Sequence, residues 1–182
     1  MPLIEKCLSF DFSAAQSSER LDKNQQGISL PRGMCLCDFL VTEVDRHLLL
    51  EIKDPCGTPT QHRDQFADYI NNELLDVRLP EKCRDSYLFL HLMNKDDREI
   101  VFVAFLGISC FGAQQPEYIV ALGDRLRKNA YSAGGHGKWS RNFVKVILVT
   151  DANWSEVFRN YPLVRLHAPS HTKIRWEDGS YA

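Results

Sequence analysis

The sequence predicts an α/β fold, and three observations point to it. Residues 36–42 and 47–53 read as two largely apolar strands interrupted by charge, joined by a short polar break, and apolar runs recur at 87–93, 100–106 and 143–150, all with the length and composition of strands. Helical spacing marks residues 60–79 and 117–129, so helices alternate with the strands. At 182 residues, 44% hydrophobic and 25% charged, the chain can bury one substantial core without disulfide or zinc staples. A single domain over 1–182 is expected, its core at about 11–166 and a locally packed tail at about 167–182.

The start is polar. Residues 12–21 predict a helix entered by Asp11 or Ser13, and residues 24–33 lead from it to a hairpin. The hairpin strands are 36–42 and 47–53. A two-residue loop at Val44 and Asp45 sets Asp38 opposite Glu51, and a loop at Asp45 and Arg46 sets Asp38 opposite Lys53. In either register Asp38, Glu51 and Lys53 share one sheet face, because side chains repeat every two residues. Leu48, Leu50 and Ile52 point the other way, with Cys37, Phe39 and Val41 on the partner strand.

Pro55, Gly57 and Pro59 break the chain, and Thr60 is a suitable cap for a helix running to about Leu79. Phe66, Ile70 and Leu74 form its apolar stripe, while Gln61, Gln65 and Tyr69 recur every fourth residue as a polar row. Residues 87–93 and 100–106 read as paired strands, with Asp96 and Asp97 in the turn between them. Pro116 introduces a helix at 117–129, 143–150 is a strand, 153–161 a short helix with Asp151 at its start, and 163–166 a last strand. The segment 132–141 joins glycines, cationic groups and Trp139, which suits phosphates and a stacked base or else a surface connection anchored by its ring.

The net charge of -2 argues against a generally basic, DNA-coating surface. Residues 1–120 nevertheless hold 12 Lys or Arg against 19 Asp or Glu, and residues 121–182 hold 10 against 5, a division suited to an acidic metal site beside a basic nucleic-acid face. The six cysteines lack zinc spacing and read as buried apolar fillers. No segment has the length of a membrane span, and residues 1–18 lack the pattern of a secretory signal, so a cytoplasmic, reducing location is expected.

The chemistry concentrates in the hairpin. Two carboxylates beside an ammonium suit a hard divalent cation and a phosphate. On an ordinary edge hairpin the same residues would form an exposed acid–base pair, whereas burying them without a ligand or partner costs several kcal/mol.

Asp38 on one strand, Glu51-Ile52-Lys53 on the next, and Gln65-Phe66-Ala67-Asp68-Tyr69 on the following helix together resemble the PD-(D/E)xK nuclease superfamily. The downstream Gln-x-x-x-Tyr element is similar to that of the subgroup found in bacterial recombination helicase-nucleases. Cys37 stands where the family often has proline, glycine or isoleucine. The clear likeness covers about 33–70. It implies a restriction-endonuclease-like core, a mixed central sheet flanked by helices, and metal-dependent hydrolysis of phosphodiesters, with DNA as polymer, in repair, recombination or defence.

By that resemblance Asp38, Glu51 and the Ile52 carbonyl hold Mg2+, with Mn2+ as a substitute. Lys53 orients water or stabilises charge on the phosphate, and Gln65 and Tyr69 position the nucleic-acid backbone. Glu19 is the upstream metal ligand and Glu5 the weaker choice for it. Expected partners are single-stranded DNA or duplex ends, with a helicase or defence protein or a second copy of the chain supplying specificity. Two other readings are a noncatalytic nucleic-acid-binding or assembly protein on the same scaffold, and a small-molecule metal hydrolase. The second is disfavoured because His47, His62 and His91 do not form a metal-binding cluster.

Overall fold

The hairpin organises the fold. In a computed structural model describing residues 2–22, 30, 31, 33–55, 65, 66, 68–108, 116–130 and 143–166, eight strands and four helical segments are present. They are β1 Leu3–Glu5, β2 Leu8–Phe10, β3 Ser17–Arg20, β4 Phe39–Thr42, β5 Arg46–Lys53, α1 Ile70–Arg78, α2 Leu79–Leu92, β6 Glu99–Leu106, α3 Pro116–Asn129, β7 Lys145–Thr150, α4 Trp154–Val157 and β8 Leu163–Arg165. The main sheet has the order β3-β4-β5-β6-β7. It is mixed: β3, β4 and β5 run antiparallel to one another, whereas β5, β6 and β7 are parallel. A smaller antiparallel sheet, β1-β2-β8, lies apart from it in hydrogen bonding.

Period-two alternation divides the core between the two faces of the main sheet. Leu40, Leu49, Phe102, Ala104 and Leu148 pack with Ile70, Leu74, Leu79, Cys83, Leu90 and Leu126 of α1, α2 and α3. Phe39, Val41, Leu48, Leu50, Ile52, Val103 and Phe105 pack instead with Phe10, Trp154 and Phe158 from the small sheet and the α4 region. The second layer is strongly aromatic: the Phe10 ring lies 5.6 Å from Phe105 and 5.1 Å from Trp154, both edge-on.

Several sequence expectations are corrected. Residues 17–20 form strand β3 where a helix was predicted over 12–21; with alternating exposure and no apolar stripe, they are held by pairing to β4. Residues 87–92 belong to helix α2, not a strand, because Leu79, Cys83, Ser86 and Leu90 recur at helical spacing as its buried row. Leu88 and Leu92 of the same apolar run face outward, and exposed His91 bonds Asp96 through Nδ1 at 2.7 Å. The chain then turns through a helix C-cap rather than a hairpin. Asn94 adopts φ 53°, its N–H donates to the His91 carbonyl, and the Lys95 N–H donates to Leu90. That exit returns the chain to the sheet, where β6 runs parallel to β5.

The predicted helix over residues 60–79 does not end near Leu79. Its described part is helical from Gln65 and Phe66 and continues through α1 into α2, while Thr60, Gln61 and His62 lie outside the described residues. α1 is wound as a π-helix, and its last bond runs from the Leu79 N–H to the Leu74 carbonyl, five residues back. The widened winding meets α winding at Pro80, which has no N–H to give and would crowd the carbonyl four residues earlier inside an uninterrupted α-helix. Cys56, Cys110, the Trp139 segment and the tail from 167 also lie outside the described residues. Of the cysteines described, Cys37 and Cys83 are buried, as apolar fillers should be, whereas Cys7 is half-buried and Cys35 exposed.

Candidate active site at the open end of the hairpin

At its closed end the hairpin turns through Val44 and Asp45, with the Glu43 N–H donating to the Arg46 carbonyl at 2.9 Å. Phe39 then pairs with Leu50, which places Asp38 opposite Glu51, the first of the two registers open to the sequence. The predicted strand over 36–42 is shorter than expected. β4 begins at Phe39, because the preceding chain is drawn toward α2: the Cys37 N–H donates to Ser86 Oγ at 2.8 Å and the Cys35 N–H to Asp85 Oδ2 at 3.0 Å. Cys37 therefore packs on the helical side, not beside Phe39 and Val41.

That departure defines the chemistry at the open end. In an antiparallel ladder, hydrogen-bonded pairs alternate, so after Glu43–Arg46, Val41–Leu48 and Phe39–Leu50 the next would be Cys37–Ile52. The Ile52 N–H donates instead to Asp38 Oδ2 at 2.7 Å, a side chain in place of a lost main-chain acceptor. The Ile52 carbonyl points to the same side of the strand, and the Cys37 N–H that the ladder would have offered it is committed to Ser86.

Glu51 has no exposed surface, and Asp38 is 7% exposed. Lys53 Nζ lies 2.6 Å from Glu51 Oε1. The other oxygen, Glu51 Oε2, is buried and accepts no hydrogen bond among the described residues, and Lys82 Nζ of α2 stands 3.4 Å away. Lys82 donates instead to the Leu36 carbonyl at 2.6 Å. Burial first, then the Glu51 charge, pushes the Asp38 carboxyl up to about 7, against the lowering effect of the Ile52 N–H and Lys53. Burial works against the Lys53 ammonium, but the Glu51 carboxylate beside it holds its pKa above the ordinary lysine value.

The remaining predicted residues are placed differently. Tyr69 stands half-buried on the helix entering α1, its hydroxyl pKa raised by burial and pulled back by the Lys53 charge, so it belongs to the same electrostatic neighbourhood. Gln65 is exposed, four residues earlier on that helical stretch. Glu19 projects from β3 to Lys95 at 3.2 Å and is half exposed. Glu5 is nearer in effect: it is an ion-pair partner of Arg20 at 2.7 Å, and its charge is one of those raising Asp38.

Sequence reasoning missed Lys82 altogether. The signal was the helical spacing of Lys82 and Ser86, obscured by reading the apolar run after them as a strand.

Among the described residues, no three His, Cys, Asp or Glu side chains gather closely enough to hold a metal ion. Magnesium does not require that: it is commonly bound through one or two carboxylates, with waters and substrate phosphate oxygens completing the shell. The orphaned Glu51 oxygen, the Asp38 carboxylate and the Ile52 carbonyl fit such a donor set. No described helix is long and apolar enough to cross a membrane. Comparison with family models, curated proteins and solved structures found no match for this chain.

Proposed function

We propose that the protein is a divalent-metal-dependent nuclease that hydrolyses phosphodiester bonds, with DNA as its polymer, on a restriction-endonuclease-like core. The observation that carries this reading is a completely buried carboxylate, Glu51, with one oxygen held by Lys53 and the other accepting no hydrogen bond among the described residues. An unsatisfied buried carboxylate oxygen costs on the order of 1–3 kcal/mol or more, and a cation bound there would recover it. The mixed sheet, the Asp38-opposite-Glu51 register and the helix carrying Tyr69 after the hairpin support the resemblance to PD-(D/E)xK enzymes.

In this reading Asp38, Glu51 and the Ile52 carbonyl hold Mg2+ or Mn2+. The ion supplies Lewis acidity, polarising a phosphoryl oxygen and lowering the pKa of a bound water. Lys53, kept charged by Glu51, orients the attacking water and faces the negative charge that grows on the phosphate. Asp38 must be ionised to serve, so its elevated pKa makes metal binding release a proton near neutrality. Tyr69 directs its hydroxyl to the nucleic-acid backbone, with Gln65 one turn earlier.

The test presents single-stranded DNA, duplex DNA, RNA and simple phosphate esters to the protein with Mg2+ or Mn2+. DNA cleavage should disappear in Asp38→Ala and Lys53→Ala, each still folded by circular dichroism. Cleavage that survives both substitutions would remove the site from consideration. A noncatalytic nucleic-acid-binding role is the second reading, favoured by the absence of a third acidic side chain in the described cluster. It predicts retained binding with no metal-dependent cleavage.

A further inference from the structure

We propose that Lys82 is an internal counter-cation for Glu51 that a divalent ion must displace, so that ammonium and metal compete for the same carboxylate oxygen. The inference rests on the reading of Glu51 as a metal ligand and adds to it a residue from a different element. Glu51 is flanked by two lysines in unequal ways. Lys53, two residues along the same strand, makes a 2.6 Å hydrogen bond to Oε1. Lys82, from α2, reaches ion-pair distance of Oε2 at 3.4 Å but makes no hydrogen bond to it. Its short bond is to the Leu36 carbonyl at 2.6 Å. Lys82 thus compensates the charge of Oε2 while leaving the lone pairs free.

Charge balance gives this arrangement its consequence. Lys53 stands beside both Glu51 and Asp38, and Lys82 adds a second cation at Glu51. A magnesium ion on Oε2 would sit about 2.1 Å from it. With Lys82 unmoved, an ammonium and a divalent ion would then stand a few ångströms apart in a poorly solvated site, a repulsion that stays unfavourable even at an effective dielectric of about 20. Lys82 is the cation able to yield. Lys53 is tied to Glu51 by its 2.6 Å hydrogen bond, whereas the equally flexible Lys82 makes none to it and is anchored instead on the Leu36 carbonyl, outside the sheet. Metal-free protein is then stabilised by Lys82, and metal affinity is reduced by it.

Calorimetric titration with Mn2+ and thermal melting in EDTA and in Mn2+ test this on wild type, Lys82→Met, Lys82→Arg and Glu51→Gln, with Lys82→Gln used if the methionine variant does not fold. Lys82→Met should bind Mn2+ at least about tenfold more tightly than wild type, in line with the loss of a like charge a few ångströms away. It should also melt lower in EDTA and gain more from Mn2+, while Lys82→Arg restores wild-type behaviour. Binding in both wild type and Lys82→Met should vanish when Glu51→Gln is added. Mn2+ affinity in folded Lys82→Met equal to or weaker than wild type would overturn the competition, and loss of wild-type binding in Glu51→Gln would then leave the metal site itself standing. Tighter binding that ignores Glu51→Gln would overturn it as well. No Mn2+ binding by any of the proteins would overturn both the competition and the metal reading beneath it.

Discussion

Glu51 and Asp54 stand three residues apart at the same end of β5, both with fully buried side chains, yet they are satisfied in opposite ways. Asp54 meets Arg165 of β8 at 2.8 Å, and Arg165 reaches on to Asp151 at 3.1 Å, just past β7. Asp54 also packs so closely on Gly107, at the end of β6, that a Cβ there would collide with its carboxylate. The cluster ties the small sheet to the C-terminal ends of three parallel strands. Glu51, on the helical side, keeps an open oxygen between Lys53 and Lys82. The difference separates a carboxylate that holds elements together from one left available to a ligand.

The largest expected effect breaks that comparison at the level of catalysis. Glu51→Gln should lower Mg2+-dependent DNA cleavage by about a thousandfold, roughly 4 kcal/mol of transition-state stabilisation, while Asp54→Asn leaves the rate per folded molecule unchanged. Equal losses of specific activity in the two folded variants would erase the distinction. On stability the order should reverse. Arg165→Met removes the 2.8 Å ion-pair partner of buried Asp54 and should cost about 3 kcal/mol in urea unfolding, an effect that added Mn2+ does not relieve differently from wild type. A loss below about 1 kcal/mol would make the clasp a surface pair in energetic terms.

Proton linkage sharpens the comparison further. The folded-state pKa of Asp38 stands at about 7, above the ordinary aspartate value of about 3.9 expected in the unfolded chain. Its protonated form is therefore favoured by folding, a contribution fully present below about pH 4 and lost as pH rises through about 7. Metal-free protein should lose unfolding free energy between pH 4 and pH 7.5, and Asp38→Asn should flatten that slope. Mn2+ affinity should climb over the same interval. A wild-type slope unchanged in Asp38→Asn would assign the dependence elsewhere. The smallest effect belongs to Tyr69. Tyr69→Phe should weaken cleavage about three- to tenfold, mainly through KM, the size of one hydrogen bond to substrate; an unchanged KM would place its hydroxyl away from the polymer.

The hairpin was legible because two local rules converge there: period-two alternation chose the faces, and charges within an apolar strand marked the interruption. The register needed the turn, and two turns were compatible with the residues. β3 was hidden because Ser17-Ser18-Glu19-Arg20 carries no apolar signal, its extended form coming from pairing with β4. α2 was hidden by the run from Tyr87 to Met93, which looks like a strand in a short window, and by a buried row that includes Ser86. That misreading concealed Lys82, and the missing β1 concealed how close in effect Glu5 is to Asp38. Cys37 illustrates the same limit: the long-range bonds from Cys37 to Ser86 and from Cys35 to Asp85 turn it out of the strand.

The π winding of α1 has a consequence for the helix beyond it. Tyr69 and Lys82 are thirteen residues apart, and at about 100° per residue a straight α-helix would point them about 140° away from each other. Nine residues at roughly 4.4 per turn bring that angular offset down to about 60°, so that one rod presents both side chains to β5. The winding sets their phase. Removing a single residue between 70 and 78 would let the rod tighten while swinging Lys82 away from Glu51 and keeping Tyr69 in place.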